Sequence, residues 1–254
     1  MTIAIGLVCS DGVLVASDSM GSAGKTAQSR VKVYASPTAP TVWTYAGSQY
    51  MSQQIEACIE GSGAKDGRHL PDVLVPQVEE TLRSAYGRMV LPPGASERDL
   101  LGHAPDVLIL GWHDGVPSFR RIPSELASVS CDAERLVAVG TGREYASVVK
   151  AALAHYLDES VSLHLGKVLA FRVVQTVCDV SAYNVAMPVQ MAVADTTGAR
   201  ILSSTEVAEV GILAERWVAT ERGSLERAFE AGAGEVADDL PALRRGDLSD
   251  RQSR

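Results

Sequence analysis

The apolar positions of this chain first fall in two short runs. Thr2 to Val8 and Val13 to Ala16 are apolar and rich in β-branched residues, with Ser10-Asp11-Gly12 between them. An aspartate bonds its own backbone and a glycine accepts positive φ, so the pattern predicts a hairpin of two buried strands. Ser19 to Gln28 is polar and contains glycine, which predicts a loop. Val31-Lys32-Val33-Tyr34 alternates like a half-buried strand. A turn over Ser36 to Pro40 precedes a strand, Val42 to Ala46, that ends in Gly47. Ser48 is placed to cap a helix from Gln49 to about Ile59. After a linker over Gly61 to Arg68, a second helix is predicted over Pro71 to Tyr86. Pro71 sits in its first turn, Pro76 distorts it near the start, and Val73, Leu74, Val78 and Leu82 form its apolar face.

The second half repeats these signals. Val90 to Pro105 reads as a loop. Asp106 to Trp112, the turn His113-Asp114-Gly115 and Val116 to Arg121 read as a hairpin, and Ser124 to Val129 and Leu136 to Val139 continue the sheet. Gly140-Thr141-Gly142 leads into a helix over Arg143 to Tyr156. Another follows over Ser162 to Asp179, with Leu165, Val168, Leu169 and Val173 on one side. Pro188 to Asp195 and Arg200 to Ser204 flank the turn Thr196-Thr197-Gly198. A last helix is expected over 205–221, and the tail 222–254, rich in Gly, Asp, Arg and Ser, is expected to end in disorder. Strands at both ends with two groups of helices between them, about 48–86 and 143–179, predict an α+β chain with two helical layers.

Composition narrows the function. The 254 residues fit one large domain or two small ones, and a net charge of −8 argues against nucleic-acid or anionic-membrane partners. No apolar run reaches the ~18 residues of a membrane span, and no signal-type segment opens the chain, so the cytoplasm is the expected compartment. Cys9, Cys58, Cys131 and Cys178 lie far apart and read as buried reduced thiols. The five histidines form no metal pattern, and no cofactor is expected. Gly140-Thr141-Gly142 lacks the remaining residues of a phosphate loop.

The candidate chemistry lies at the N-terminus. A small residue after Met1 permits removal of the methionine, leaving Thr2 with a free α-amine beside its hydroxyl. That amine, with a reference pKa near ~8, can take the hydroxyl proton. Lys32 reads either as an exposed strand residue or as one pointing inward near Thr2, with Lys25 and Arg30 as alternatives. A strand that ends in Gly47 before a helix N-terminus leaves backbone N–H groups free to meet an oxyanion.

Thr2 through Asp18, with Lys32, Ala46-Gly47, Gly140-Thr141-Gly142 and Asp179, resembles the proteasome β-subunit family of N-terminal-nucleophile hydrolases. That family includes the bacterial HslV-type peptidases and the Anbu proteins. The resemblance covers roughly 2–204, leaving 205–221 as an added helix. It implies a four-layer αββα sandwich and a threonine-type peptidase with Thr2 as nucleophile. It gives Asp18 and Lys32 the role of a charged pair beside Thr2, Gly47 that of oxyanion donor, and Thr141, Asp179 and Ser181 places around the amine. The family turn is Gly-Ser-Gly, so Thr141 is a departure that keeps the hydroxyl. Strict spacing for the later serine lands on Ala182, one residue after Ser181. Tyr45 and Gln49 flank Gly47 and are candidates for the substrate pocket. The implied partners are a peptide or unfolded protein substrate, further copies of the chain in a homo-oligomeric ring, and an unfolding ATPase. Two other functions stay open: a non-catalytic ring subunit and a small-molecule amidase.

Overall fold

The computed structural model describes residues 2–23, 26–47, 49–61, 75–87, 105–123, 129–158, 160–181 and 185–239. Met1, Lys25, the Ser48 cap, the linker after Gly61, Pro71 to Leu74, most of the loop predicted over Val90 to Pro105, Ser124 to Ser128, Ala182 and the tail beyond Asp239 lie outside the described residues, as does the Gln49 side chain.

The opening hairpin forms as β1 (Ala4–Val8) and β2 (Val13–Ser17), and every residue of both strands is buried. They are central in an antiparallel sheet that runs β10 (Leu136–Val139), β1, β2, β11 (Gln190–Asp195), β12 (Gly198–Ile201). The second five-stranded antiparallel sheet runs β5 (Val33–Ala35), β6 (Thr41–Ala46), β7 (Asp106–His113), β8 (Val116–Ile122), β9 (Val129–Ser130). Asp114 and Gly115 turn β7 into β8 with φ of 48° and 81°, the sign that a two-residue hairpin turn of matching twist requires. The polar stretch predicted as a loop forms a small hairpin instead, β3 (Met20–Ala23) with β4 (Thr26–Ser29). Its backbone groups pair although its side chains carry no apolar alternation.

Alternation along the strands assigns each face. Val8, Val13, Val15 and Val137 of the first sheet share one apolar cluster with Val42, Leu108, Leu110 and Phe119 of the second. Trp43, Tyr45, Val107 and Ile109, one position out of phase, join a separate cluster with α1 (Gln49–Gly61) and α2 (Val75–Gly87), through Ile55, Ile59, Val78 and Leu82.

Two further helices follow in the chain, α3 (Arg143–Ala152), which a 3₁₀ turn over Ala154–Tyr156 extends, and α4 (Leu163–Val180). Ser162 caps α4, its hydroxyl accepting the Leu165 N–H at 3.4 Å, and the Asp11 carboxylate of the first hairpin accepts the Leu163 N–H at 2.6 Å. Helix α4 lies so close to β1 and β2 that a Cβ on Gly166 would sit 2.5 Å from the Cys9 sulfur.

The chain divides into two compact units, Met1–Ile212 and Leu213–Arg254. Helix α5 (Ser204–Asp239) begins in the first and supplies the described part of the second. It is 36 residues long, well past the end predicted at 221. Residues 224–239 are rich in Ala and Glu, and the helix runs on through Gly223, Gly232 and Gly234, each of which costs about 1 kcal/mol relative to alanine. Among the described residues no helix is long and apolar enough to cross a membrane.

Candidate active site

The site gathers where β1 begins and β2 ends. Asp18 follows β2 directly and is fully buried. Its Oδ1 accepts the Ile3 N–H at 3.1 Å and its Oδ2 the Met20 N–H at 3.0 Å, so two backbone groups fix the carboxylate. The Ile3 carbonyl in turn accepts the Ser17 hydroxyl at 2.8 Å and the Asp18 N–H at 3.2 Å.

Lys32, 4% exposed, crosses to this carboxylate. Its Nζ donates to Asp18 Oδ1 at 2.8 Å and to the Thr2 hydroxyl at 3.2 Å. Burial pushes the ammonium below its ordinary value of 10.5, and the negative charge of Asp18 opposes that push. The lysine therefore points inward to Thr2 and is not an exposed strand residue. It stands just before β5, outside the strand predicted to contain it.

Thr2 is held on its backbone too. Its N–H donates to the Thr141 hydroxyl at 3.1 Å, and its carbonyl accepts the Gly142 N–H at 3.1 Å. The turn that does this needs Gly140, which has φ of 89° and whose Cβ, if present, would lie 2.4 Å from the Thr2 carbonyl oxygen. The same Cβ would lie 3.0 Å from the Ala46 side chain, so the end of β6 arrives at the same point. Gly47 then leaves β6 with φ of 136°.

The fold at this point has a solved counterpart. The fold is similar to that of Anbu. An Anbu (Gly-1) mutant from Hyphomicrobium sp. strain MC1 matches over 89% of this chain and 97% of its own, with a TM-score of 0.66 and 16% sequence identity. No family model and no curated protein matches the sequence.

Within this Anbu-like fold, hydrogen bonds link Thr141 to Thr2, Thr2 to Lys32 and Lys32 to Asp18, and Gly47 follows Ala46, which faces Gly140. Asp179 is exposed in the last turn of α4, and Ser181 is buried just beyond it, donating its N–H to the Val177 carbonyl at 2.9 Å. No hydrogen bond joins Asp179 to Thr2 among the described residues. Cys178, the residue before Asp179, feels the charges of both Asp179 and the buried pair. Burial, and then the charges of Asp18 and Asp179, push its thiol up to about 12. Tyr45 is 5% exposed and belongs to the cluster with α1 and α2, its ring tilted against Tyr34 at 6.2 Å.

Sequence reasoning passed over Ser17, Thr44 and Gln190. The Thr44 hydroxyl donates to the Lys32 carbonyl at 2.8 Å, and the Gln190 side chain accepts the Lys32 N–H at 2.9 Å. Polar residues in otherwise apolar strands were the available signal. Among the described residues no group of three metal-ligating side chains gathers.

Proposed function

We propose that this chain is a threonine-type peptidase in which the Thr2 hydroxyl, once Met1 is removed, attacks the peptide carbonyl. The observation that carries the reading is the buried Asp18–Lys32 pair whose ammonium also donates to the hydroxyl of residue 2. A buried ion pair contributes little stability over an apolar substitute, so its siting against the Thr2 hydroxyl favours a chemical role.

The Thr2 amine takes the hydroxyl proton, directly or through one water. Lys32, as a nearby cation, disfavours protonation of that amine and keeps it ready as a base. Thr141 orients the amine. The Gly47 N–H receives the oxyanion, a contact worth roughly 3–4 kcal/mol. Collapse of the tetrahedral intermediate expels the amine of the leaving peptide, which takes the proton back from the Thr2 ammonium. Water, deprotonated by the same amine, then hydrolyses the ester. Asp179 and Ser181 support the amine from the end of α4, and Tyr45 and Gln49 shape the pocket for the residue before the scissile bond.

The architecture that suits this reading is the four-layer αββα sandwich. It is supported by the apolar cluster shared between the sheets, the cluster beneath α1 and α2, and the close approach of α4 to β1 and β2. The reading extends to a cytoplasmic homo-oligomeric ring that encloses its sites, acts on peptides or unfolded protein, and takes an unfolding ATPase as partner.

Intact-mass measurement, peptide turnover and light scattering test it together. The expected results are loss of Met1, hydrolysis abolished by Thr2→Ala and partly kept by Thr2→Ser, and an assembly far above 26.9 kDa. Hydrolysis that survives Thr2→Ala in a clean preparation removes the nucleophile. An inert ring points to a scaffold subunit, and a monomer that cleaves small amides but no peptides points to an amidase.

A further inference from the structure

We infer that Gln190 and Thr44 are positioning residues that set the Lys32 ammonium against Thr2 by holding the Lys32 backbone from both sheets at once. The inference rests on the peptidase reading above.

Lys32 has a long stem with four rotatable bonds, so its ammonium is only as well placed as its Cα. Yet Lys32 lies before β5, which begins at Val33, and the first ladder pair with β6 is Val33 with Thr44. Both backbone groups of Lys32 are met by side chains instead. The Gln190 Oε1 accepts its N–H at 2.9 Å, and the fully buried Thr44 hydroxyl donates to its carbonyl at 2.8 Å. Gln190 belongs to β11 of the first sheet and Thr44 to β6 of the second.

The Gln190 amide does more than accept one bond. Its Nε2 donates to the Arg30 carbonyl at 2.7 Å, so one carboxamide spans residues 30 and 32. A residue in a parallel ladder bonds its neighbour strand in the same way, donating to one carbonyl and accepting the N–H two residues on. The side chain thus replaces a strand where the backbone has none. Only this orientation of the amide satisfies both of its ends. Val31, between the two anchored residues, is 57% exposed, so side-chain packing does not locate this segment; its carbonyl accepts the Tyr34 hydroxyl at 3.3 Å.

The register ties this clamp to the other end of the lysine. Gln190 stands opposite Ser17 across β11 and β2, and Asp18 is the next residue. The lysine backbone and the lysine ammonium are therefore both referred to the same pair of strand ends. A shift at Gln190 moves the ammonium relative to a carboxylate and a hydroxyl that stay fixed.

The test compares Gln190→Met, Thr44→Val and Thr44→Ser with the wild type on one fluorogenic peptide, with Thr2→Ala as the blank. We expect Gln190→Met and Thr44→Val each to lower kcat roughly 10- to 100-fold, the scale of a misplaced reacting group. KM should stay within about twofold, because no substrate contact is lost. The acid limb of the kcat/KM profile should move to higher pH as the cation leaves the Thr2 amine. Thr44→Ser keeps the hydroxyl and should keep near-wild-type turnover. Exchange of the Lys32 amide hydrogen should quicken in Gln190→Met while the melting temperature changes little. Thr2-dependent turnover that is unchanged in both folded variants overturns the positioning role alone, as does a rise in KM at constant kcat. Equal loss in Thr44→Ser and Thr44→Val overturns it too. Absence of any Thr2-dependent turnover in the wild type overturns the peptidase reading and this inference with it. Should Gln190→Met fail to fold, the two Thr44 variants decide.

Discussion

Lys32→Met separates what the buried pair does for stability from what it does for chemistry. The substitution keeps the length of the stem and removes the charge. It strands Asp18, which is fully buried and keeps only the N–H groups of Ile3 and Met20. Breaking a buried pair by removing one member costs about 3–5 kcal/mol, and two surviving donors put the loss near the low end, about 3 kcal/mol. For a chain of this size that lowers the melting temperature by roughly 6–12 °C. Adding Asp18→Asn removes the stranded charge, and the amide oxygen still accepts a backbone N–H. The double variant should then match the wild type or exceed it in stability, because a buried pair seldom outperforms its neutral replacement. Turnover should follow the opposite course and stay lost in both variants.

Urea unfolding followed by circular dichroism, beside peptide turnover, reads the two effects separately. A pH series adds a signature. Burial holds the Lys32 ammonium below 10.5, so between that lowered value and 10.5 the unfolded chain binds the extra proton. Wild-type stability should therefore gain a rising contribution with pH across that window, with the penalty fully in place below it, and Lys32→Met should lack the rise. A double variant less stable than Lys32→Met refutes the stranded-charge argument. A double variant that still hydrolyses peptide refutes the role given to Lys32.

Three shorter predictions follow from other parts of the fold. Gly140→Ala forces a side chain into positive φ, at about 1–2 kcal/mol, and drives its Cβ against the Thr2 carbonyl; thermal melts should show the first effect and a loss of kcat the second, and wild-type turnover in this variant refutes the close approach. Glu206 accepts the Ser203 N–H and hydroxyl and the Arg200 guanidinium, which together hold its carboxyl down to about 2; its support for the start of α5 is present above 4.5 and fades as pH falls toward 2, so helicity in that range should fall in the wild type and be reduced already at pH 7 in Glu206→Gln. Cys9 and Cys178 are pushed up to about 12, mainly by burial, so neither should be alkylated quickly in native protein at pH 8, and mass spectrometry that finds rapid labelling at the buried Cys9 refutes the packing of α4 against it.

Features written into neighbouring residues were readable in advance. The first hairpin and the Asp114-Gly115 turn each depend on a handful of adjacent side chains. The small hairpin over 20–29 was not readable, because backbone pairing forms it and no side-chain period marks it. Helix α5 runs past 221 because the tail, rich in Gly, Asp, Arg and Ser as a whole, opens with Ala and Glu, strong helix formers that carry the helix on to Asp239. At the site, Thr2, Asp18, Lys32 and Thr141 were picked out through a family resemblance, and the structure brings these four together. Thr44 and Gln190 left no such trace. Each bonds the backbone of a residue 12 or 158 positions away, and a polar residue in a strand ordinarily marks only a solvent face.

The Thr2 N–H donates to a hydroxyl 139 residues further along the chain, and the lysine beside Thr2 is held by a side chain 158 residues beyond it. During synthesis Thr2, the proposed nucleophile, leaves the ribosome long before the residues that orient it. On the proposed chemistry, Thr2 is therefore inert for most of its own translation. Its reactivity switches on only when β10, α3 and β11 have joined the first hairpin, which makes completion of the fold the timing step that keeps a growing peptidase from cutting neighbouring nascent chains.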